Sequence, residues 1–483
     1  MFILKLILFL LLLVVLLFIV CLIKTYLTPS KRTYYEGSKD EKRSLAYAKK
    51  LQKLIRVETV SHKGIPEIEK FRKLHKVLES LYPNVFKTCE KIDIDGNIMV
   101  KWKGRNKNLD PIILISHIDV VDATGEWKFP PFSGTIDNGR IYGRGTSDIK
   151  NDVFAFYQAV EELIVEGYKP ECDVYLGSSC TEEVSGNGAP KLVDWFKKHH
   201  IHLYMLSDEG GAISEDPIPF VKGHFAAIGV FEKGYGDIEF IAKSTGGHSS
   251  TPGKNTPIPR LARFVSDIEK RSPFKAQFLE ASENMFKALS PYCDNFWYKF
   301  ILCNLWLFKP ILVKVVPAIS PMAGAMLKTT IAFTMQSGSN GYNVLPEKAS
   351  VVANCRFIPH QNADESVELL KTLANKYGLE TRVISSVPSS KSLDLQSEQY
   401  QMTVKTINKV FPGVGIMPYV VTGGTDSRFF DPVCDHCVRF SPFNLTNQQL
   451  DAMHGIDENI NIDTLPLAVE YYKEIIKIQE TRK

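Results

Sequence analysis

Three short runs, apolar in the middle and closed by polar residues, constrain the fold of this chain more than anything else in it. They are residues 111–116 (PIILIS), 173–179 (DVYLGSS) and 203–207 (LYMLS). Residues 152–166, between the first two, have helical spacing, as do Leu45, Ala48, Leu51 and Leu54 within residues 41–56. Apolar strands alternating with helices predict a largely parallel sheet covered on both faces, hence an α/β fold. In such sheets functional groups gather beyond the carboxyl ends of the strands. The 483 residues are 44% hydrophobic and 23% charged. That mix excludes wholesale disorder, a collagen and a polytopic membrane protein. A net charge of +4 argues against a dedicated nucleic-acid binder.

The pattern changes near residue 235. Residues 236–242 and 349–357 alternate polar and apolar side chains, as half-buried antiparallel strands do. The expected organisation is a catalytic domain in two pieces, 41–234 and 364–483, interrupted by a lid at 235–363. Within the lid, residues 274–318 are rich in Phe, Trp and Leu. Lys299, Lys309, Lys314, Pro310 and Pro317 make this stretch a poor membrane span. It reads either as a buried helical hairpin or as a surface for lipid, acyl chain or membrane.

Residues 1–23 form a leader and 24–40 a polar linker. Residues 6–23 are 18 apolar residues between Lys5 and Lys24, close to the roughly 20 that a membrane helix needs. The run is long for a cleaved signal and lacks an A-x-A-like site, so an uncleaved anchor is expected over a signal peptide. Lys24, Lys31, Arg32, Lys39, Lys42 and Arg43 follow it, which by the positive-inside rule would keep the body cytosolic. The Asn444-Leu445-Thr446 glycosylation acceptor points the other way. The nine cysteines do not form a small disulfide framework. Cys434 and Cys437 make one C-x-x-C without a second pair at zinc-ribbon spacing, which reads as a disulfide or as buried thiols.

Four clusters carry metal-ligand side chains. Ser116-His117-Ile118-Asp119 follows the first run. Residues i and i+2 of an extended segment share a face, so His117 can bind a metal while Asp119 fixes its tautomer. Gly143-Arg144-Gly145-Thr146-Ser147-Asp148 opens a helix, its glycines allowing a tight turn that presents Asp148. Thr181-Glu182-Glu183 follows the second run, where one carboxylate can ligate and the other stay free as a base. Ser207-Asp208-Glu209-Gly210-Gly211 follows the third, and His454 stands alone late in the chain. Taken singly, each is more often structural or solvated surface. Three of the four follow strands of one sheet and would meet at one edge. Imidazoles with carboxylates suit zinc or a similar divalent ion.

These motifs, in this order, resemble the co-catalytic zinc amidohydrolases and exopeptidases, a superfamily that includes aminoacylase, acetylornithine deacetylase and carboxypeptidase S. The resemblance spans about residues 41–480. SHIDVVD, GRGTSDIK and SCTEEVSG look most like the carboxypeptidase S branch, which includes N-fatty-acyl-amino acid synthase/hydrolases. The resemblance implies a zinc-exopeptidase catalytic domain, with a mixed, mostly parallel sheet between helices, and a smaller α+β lid or dimerisation domain. It implies two zinc ions per subunit, one held by His117 and Asp208, the other by Glu183 and His454, with Asp148 bridging. Glu182 would be the general base and Asp119 would orient His117. His248 of Thr245-Gly246-Gly247-His248 would be the lid histidine, often offered across a homodimer. Asn343, Arg356 and Gly424 would lie near the substrate.

The activity so implied is hydrolysis, or formation, of the amide bond of N-acyl amino acids, including fatty-acyl ones. The alternative is a carboxypeptidase acting on short peptides. The resemblance also favours the secretory route, with the chain membrane-anchored through its amino terminus and its catalytic domain lumenal or extracellular, or secreted if the leader is cleaved. A binding protein without catalysis is disfavoured by the intact ligand set. A serine hydrolase lacks its G-x-S-x-G elbow, a thermolysin-like protease its H-E-x-x-H.

Overall fold

The computed structural model describes residues 1–64 and 67–482. A ten-stranded mixed sheet forms the body. Its strands are β1 (Glu90–Ile94), β2 (Asn97–Trp102), β3 (Ile112–His117), β6 (Val174–Ser179), β7 (Met205–Asp208), β8 (Ile213–Glu215), β9 (His224–Glu232), β16 (Gly415–Val421), β17 (Cys437–Arg439) and β18 (Asn444–Leu445). They run β1-β2-β6-β3-β7-β17-β9-β8-β18, with β16 beside β9. The centre is parallel, β3 between β6 and β7 and β7 beside β17. The β1-β2-β6 flank is antiparallel. The three apolar runs are thus neighbours, all buried, and their carboxyl ends lie side by side. A small antiparallel sheet of β4 (Thr135–Asp137), β5 (Arg140–Tyr142) and β19 (Asn459–Asn461) sits apart.

Helices cover both faces, as continuous apolar strands require. On one face lie α2 (Glu41–Ile55), α3 (Ile68–Leu81), α4 (Pro83–Thr88), α5 (Lys150–Val165), α13 (Glu398–Val410) and α15 (Thr464–Lys477), sharing the main core. Helix α5 is buried nearly all round, with Val153, Phe154, Phe156, Val160 and Leu163 in the core. On the other face, α6 (Gly188–Lys198) packs Leu192, Val193 and Phe196 against Ile113, Ile115 and Tyr175. Helix α14 (Asn447–Ala452) sits beside β18 and β19.

The lid is a second antiparallel sheet, β12-β14-β10-β15, built from β10 (Gly234–Lys243), β12 (Thr330–Ser337), β14 (Lys348–Phe357) and β15 (Glu380–Val387). Helices α7 (Pro257–Lys270) and α12 (Ala363–Asn375) close its separate core. A two-stranded ribbon, β11 (Gly247–His248) with β13 (Val344–Leu345), projects from it. Two boundaries differ from expectation. The chain does not return to the body at 364, because β15 pairs with β10 and α12 packs into the lid core; the return follows Val387. Nor is 235–363 one unit. Its segment of α8 (Glu280–Leu289), α9 (Phe296–Cys303), α10 (Leu305–Ile319) and α11 (Pro321–Ala325) packs on the body, with Met285, Phe286, Leu289, Leu302 and Leu305 in the main core.

The leader is a 26-residue helix, α1 (Phe2–Leu27), of which only Cys21 and Thr25 are buried. The expected glycosylation acceptor does not lie on a surface loop. Asn444 is buried in β18, where its Oδ1 faces His224 Nδ1 at 3.0 Å. All nine cysteines are free, and Cys434 and Cys437 are buried thiols.

Candidate metal centre

The cluster forms where the sheet geometry directs it. His117 ends β3, Glu182 and Glu183 follow β6, and Asp208 ends β7. Asp148 arrives from the turn before α5, in which Gly143 and Gly145 hold φ of 152° and 88°, values that L side chains rarely adopt. His454 follows α14. Asp148 stands between the two imidazoles: its Oδ1 is 3.1 Å from His117 Nε2 and its Oδ2 2.9 Å from His454 Nε2. Glu183 Oε2 lies 3.2 Å from His454 Nε2. One carboxylate therefore serves two separate groups of ligand atoms, His117-Asp148-Glu209 and Asp148-Glu183-His454.

The member facing His117 from β7 differs from expectation. It is Glu209, with Oε1 3.3 Å from His117 Nε2. Successive residues leaving a strand point to opposite sides, so only one of the Asp208-Glu209 pair can face the histidine. Asp208 turns to the backbone, accepting hydrogen bonds from the amides of Ser427 (2.8 Å) and Glu209 (2.9 Å). The Ser427 amide comes from a single 3₁₀ turn, Asp426–Phe429.

Asp119 reaches the His117 ring more closely with its main chain than with its carboxylate. The His117 Nδ1 donates to the Asp119 main-chain carbonyl at 3.0 Å, while the carboxylate stays 3.6 Å away. That carboxylate instead accepts from the amides of Glu182 and Glu183, both at 3.1 Å, and from Ser61 Oγ at 2.6 Å. It so fixes the loop carrying both glutamates. Among the described residues nothing hydrogen-bonds or ion-pairs with the Glu182 carboxylate.

Charge is unbalanced here. Burial pushes Glu182 and Asp208 well above the usual carboxylate range, with Glu209 repelling Asp208. Burial also lifts Glu209 to about 7. Hydrogen bonds to Asp148 and Glu183 lift His454 to about 10. A pocket this rich in carboxylates calls for cations. Two features fit divalent metal. Glu183 Oε1 is buried without a partner. The atoms brought within 2.9–3.3 Å of one another are imidazole nitrogens and carboxylate oxygens, the donor set that zinc takes.

Reading by motif missed the support behind these ligands. Glu458 is fully buried, and its carboxylate accepts from the amides of Gly145, Ser147 and Asp148 at 2.8–3.1 Å and from Arg144 Nη1 at 2.7 Å. Glu232 pairs with Arg439 in the interior and accepts from the Thr425 amide at 2.7 Å, anchoring the turn that reaches Asp208. Neither sits in a motif; only a buried position for a charge could have flagged them.

The substrate-side residues divide. Arg356, on β14, stacks 4.8 Å over Tyr235, and burial holds its guanidinium below its ordinary pKa, with Arg428 repelling it and Glu182 attracting it. Gly424 leaves room for Arg428: a Cβ there would lie 2.2 Å from Nη1. His248 and Asn343 are not brought into the cluster. Both are exposed on the ribbon, where His248 pairs with Val344 and its Nδ1 lies 2.7 Å from Ser250 Oγ.

Beside the ligands opens a cavity of about 330 Å³ that starts at Asp148 and Glu209. Its walls include Met285, Met322, Met326, Met417, Met453 and Leu450.

Comparison with known proteins follows the same lines. Residues 113–478 match the family described as Peptidase family M20/M25/M40. The chain is 33% identical over 477 residues to the N-fatty-acyl-amino acid synthase/hydrolase PM20D1 of Xenopus tropicalis, covering 96% of this chain and 92% of that protein. It is 32% identical to the probable carboxypeptidase S-like 2 of Dictyostelium discoideum, covering 90% and 85%. Among solved structures, the M20 family metallo-carboxypeptidase Sso-CP2 from Sulfolobus solfataricus has the same fold, with a TM-score of 0.66 at 20% identity, covering 89% of this chain and 98% of that one. Human carnosine dipeptidase 1 aligns with a TM-score of 0.63 at 16% identity, covering 90% and 97%. With the match spanning most of its length, this chain belongs to peptidase family M20/M25/M40, a family of metal-dependent hydrolases acting on C–N bonds.

Proposed function

We infer that this enzyme hydrolyses, or forms, the amide bond of N-acyl amino acids with apolar acyl groups, using two zinc ions. The observation that carries the reading is the bracketing of Asp148 by His117 and His454, with Glu182 left unengaged beside them. His117, Asp148, Glu183, His454 and Glu209 would hold the metals as the side chains stand, with Asp208 behind Glu209. Zinc bound there would polarise the amide carbonyl and lower the pKa of a shared water towards about 7. Glu182 takes the proton of the attacking water and returns it to the leaving amine, a contribution of roughly 10²–10⁴ in rate. Asp119 keeps Glu182 in place through its amide. Arg356, with Arg428 nearby, attracts the free carboxylate of the amino acid; a guanidinium can hold it by two parallel hydrogen bonds. The acyl group takes the methionine-lined cavity, whose flexible thioethers adapt to chains of varied shape. His248 and Asn343, exposed on the lid ribbon, would reach a carbonyl and carboxylate only across a homodimer or after lid movement.

A carboxypeptidase acting on short peptides would use the same centre. Initial rates on an N-oleoyl amino acid and on a blocked dipeptide with the same terminal residue separate the two. The oleoyl substrate is expected to give the higher kcat/KM, and M326W, which fills the cavity, to lower that value selectively. Much faster turnover of the dipeptide, unaffected by M326W, would overturn the acyl reading.

A further inference from the structure

The segment from α9 to α11 has its apolar stripe on the outside. Along α10, Leu307, Ile311, Val315 and Ile319 recur at i and i+4 and are all exposed, Ile311 by 59% and Ile319 by 71%. Met322 continues the line. At the other end, Trp297 (60% exposed), Tyr298 and Trp306 add aromatic rings. A helix on a water-soluble body turns such a stripe inward, and a contiguous apolar patch left outside marks a contact surface. Residues 296–322 contain three lysines and no carboxylate.

Helix α1 meets this face. Helices α9 and α10 bend by 107° at Asn304, whose Nδ2 donates to the Cys21 carbonyl (3.1 Å) and to Thr25 Oγ1 (3.2 Å) of α1. Lys299 Nζ donates to the Thr28 carbonyl at 2.8 Å. Phe18 packs on Phe300 and Tyr26 on Phe296, with ring centroids 5.6 and 5.7 Å apart. The carboxyl-terminal turns of an exposed 26-residue apolar helix are thereby fastened to α9 and to the bend that leads into the outward stripe. At 1.5 Å per residue, α1 is about 39 Å long, more than the roughly 30 Å apolar thickness of a bilayer.

We propose that the outer face of α9–α11 lies on a phospholipid bilayer, seated beside α1 as that helix crosses it. The partner is lipid because the face is continuous with a helix that is apolar all round, and because its tryptophans and tyrosine are the residues that favour the headgroup boundary. Lys314, exposed and without an ion pair among the described residues, suits a phosphate headgroup, whereas Lys299 is buried against Thr28 and Lys309 pairs with Glu283. Met322 belongs both to the stripe and to the wall of the cavity beside the metal centre, so the cavity adjoins the lipid face.

The full chain, reconstituted in phosphatidylcholine vesicles with brominated acyl chains, tests this by tryptophan emission. Two of its five tryptophans, Trp297 and Trp306, lie on the face, and the emission share of those two is expected to be quenched. The quenching should vanish in W297F/W306F. It should also vanish in I311E/V315E/I319E, whose changed side chains are exposed, while α1 still holds the chain in the vesicle and hydrolysis of a water-soluble N-acetyl amino acid is unchanged. Quenching that is absent, or that persists in either variant, overturns the proposal. So does a dimer in detergent that the triple glutamate variant splits, which would assign the face to a second copy of the chain. None of these quenching readouts depends on the substrate.

Discussion

At the residue scale, the metal centre shows how two adjacent carboxylates divide their work. Glu182 and Glu183 leave β6 together, yet Glu183 faces His454 while nothing among the described residues hydrogen-bonds or ion-pairs with the Glu182 carboxylate. Asp208 and Glu209 leave β7 together, yet one reaches His117 and the other takes backbone amides. The geometry therefore ranks the two pairs differently from spacing alone. Three variants separate the roles by zinc content and turnover. E209Q is expected to lose about one zinc per chain, whereas D208N retains both with a lowered rate. E182Q should retain both and lose roughly 10²–10⁴ in kcat. One zinc lost from D208N and none from E209Q would return the ligand role to Asp208.

At the element scale, the turn before α5 is held from outside its own motif. Asp148 is presented by a loop in which the amides of Gly145, Ser147 and Asp148 point at one buried carboxylate, Glu458, some 310 residues away. Arg144, nearly fully buried, relies on the same carboxylate. Breaking a buried pair by removing one partner costs about 3–5 kcal/mol. E458Q is thus expected to melt at a distinctly lower temperature and to bind zinc more weakly, both read on the purified full chain. An unchanged melting temperature would show that the loop holds itself. The lid illustrates the same dependence on distant pairing. Residues 364–387 read as ordinary α/β chain, but β15 hydrogen-bonds to β10 and α12 packs into the lid core with it.

At the scale of the whole molecule, the body concentrates negative charge between two layers of helices and leaves the lid on a separate core. Carboxylates packed this closely repel in the absence of cations, so metal should be part of folding stability. An ion bound only to the native state stabilises it by about 2.7 kcal/mol at a hundredfold excess over its Kd. Thermal melts with added zinc are expected to shift upward by several degrees relative to the chelated protein, with activity lost and regained in parallel. Melts that coincide, with full activity under chelator, would remove metal from the account.

Much of this was legible in the chain alone. The three apolar runs dictate a parallel centre, because an apolar strand has to be covered on both sides. Parallel neighbours then oblige whatever follows each strand to gather at one edge, which is why His117, Glu182, Glu183 and the Asp208-Glu209 pair could be placed together from spacing. Which carboxylate of a pair turns inward, which distant glutamate holds the Asp148 loop, where the lid ends and which way the aromatic helices face were decided by tertiary structure. Those choices depend on contacts between residues hundreds of positions apart, and local periodicity carries no record of them. The outward stripe of α10 makes the difference plain: its i, i+4 repeat is written in the sequence, but a repeat cannot say whether protein or lipid lies against it.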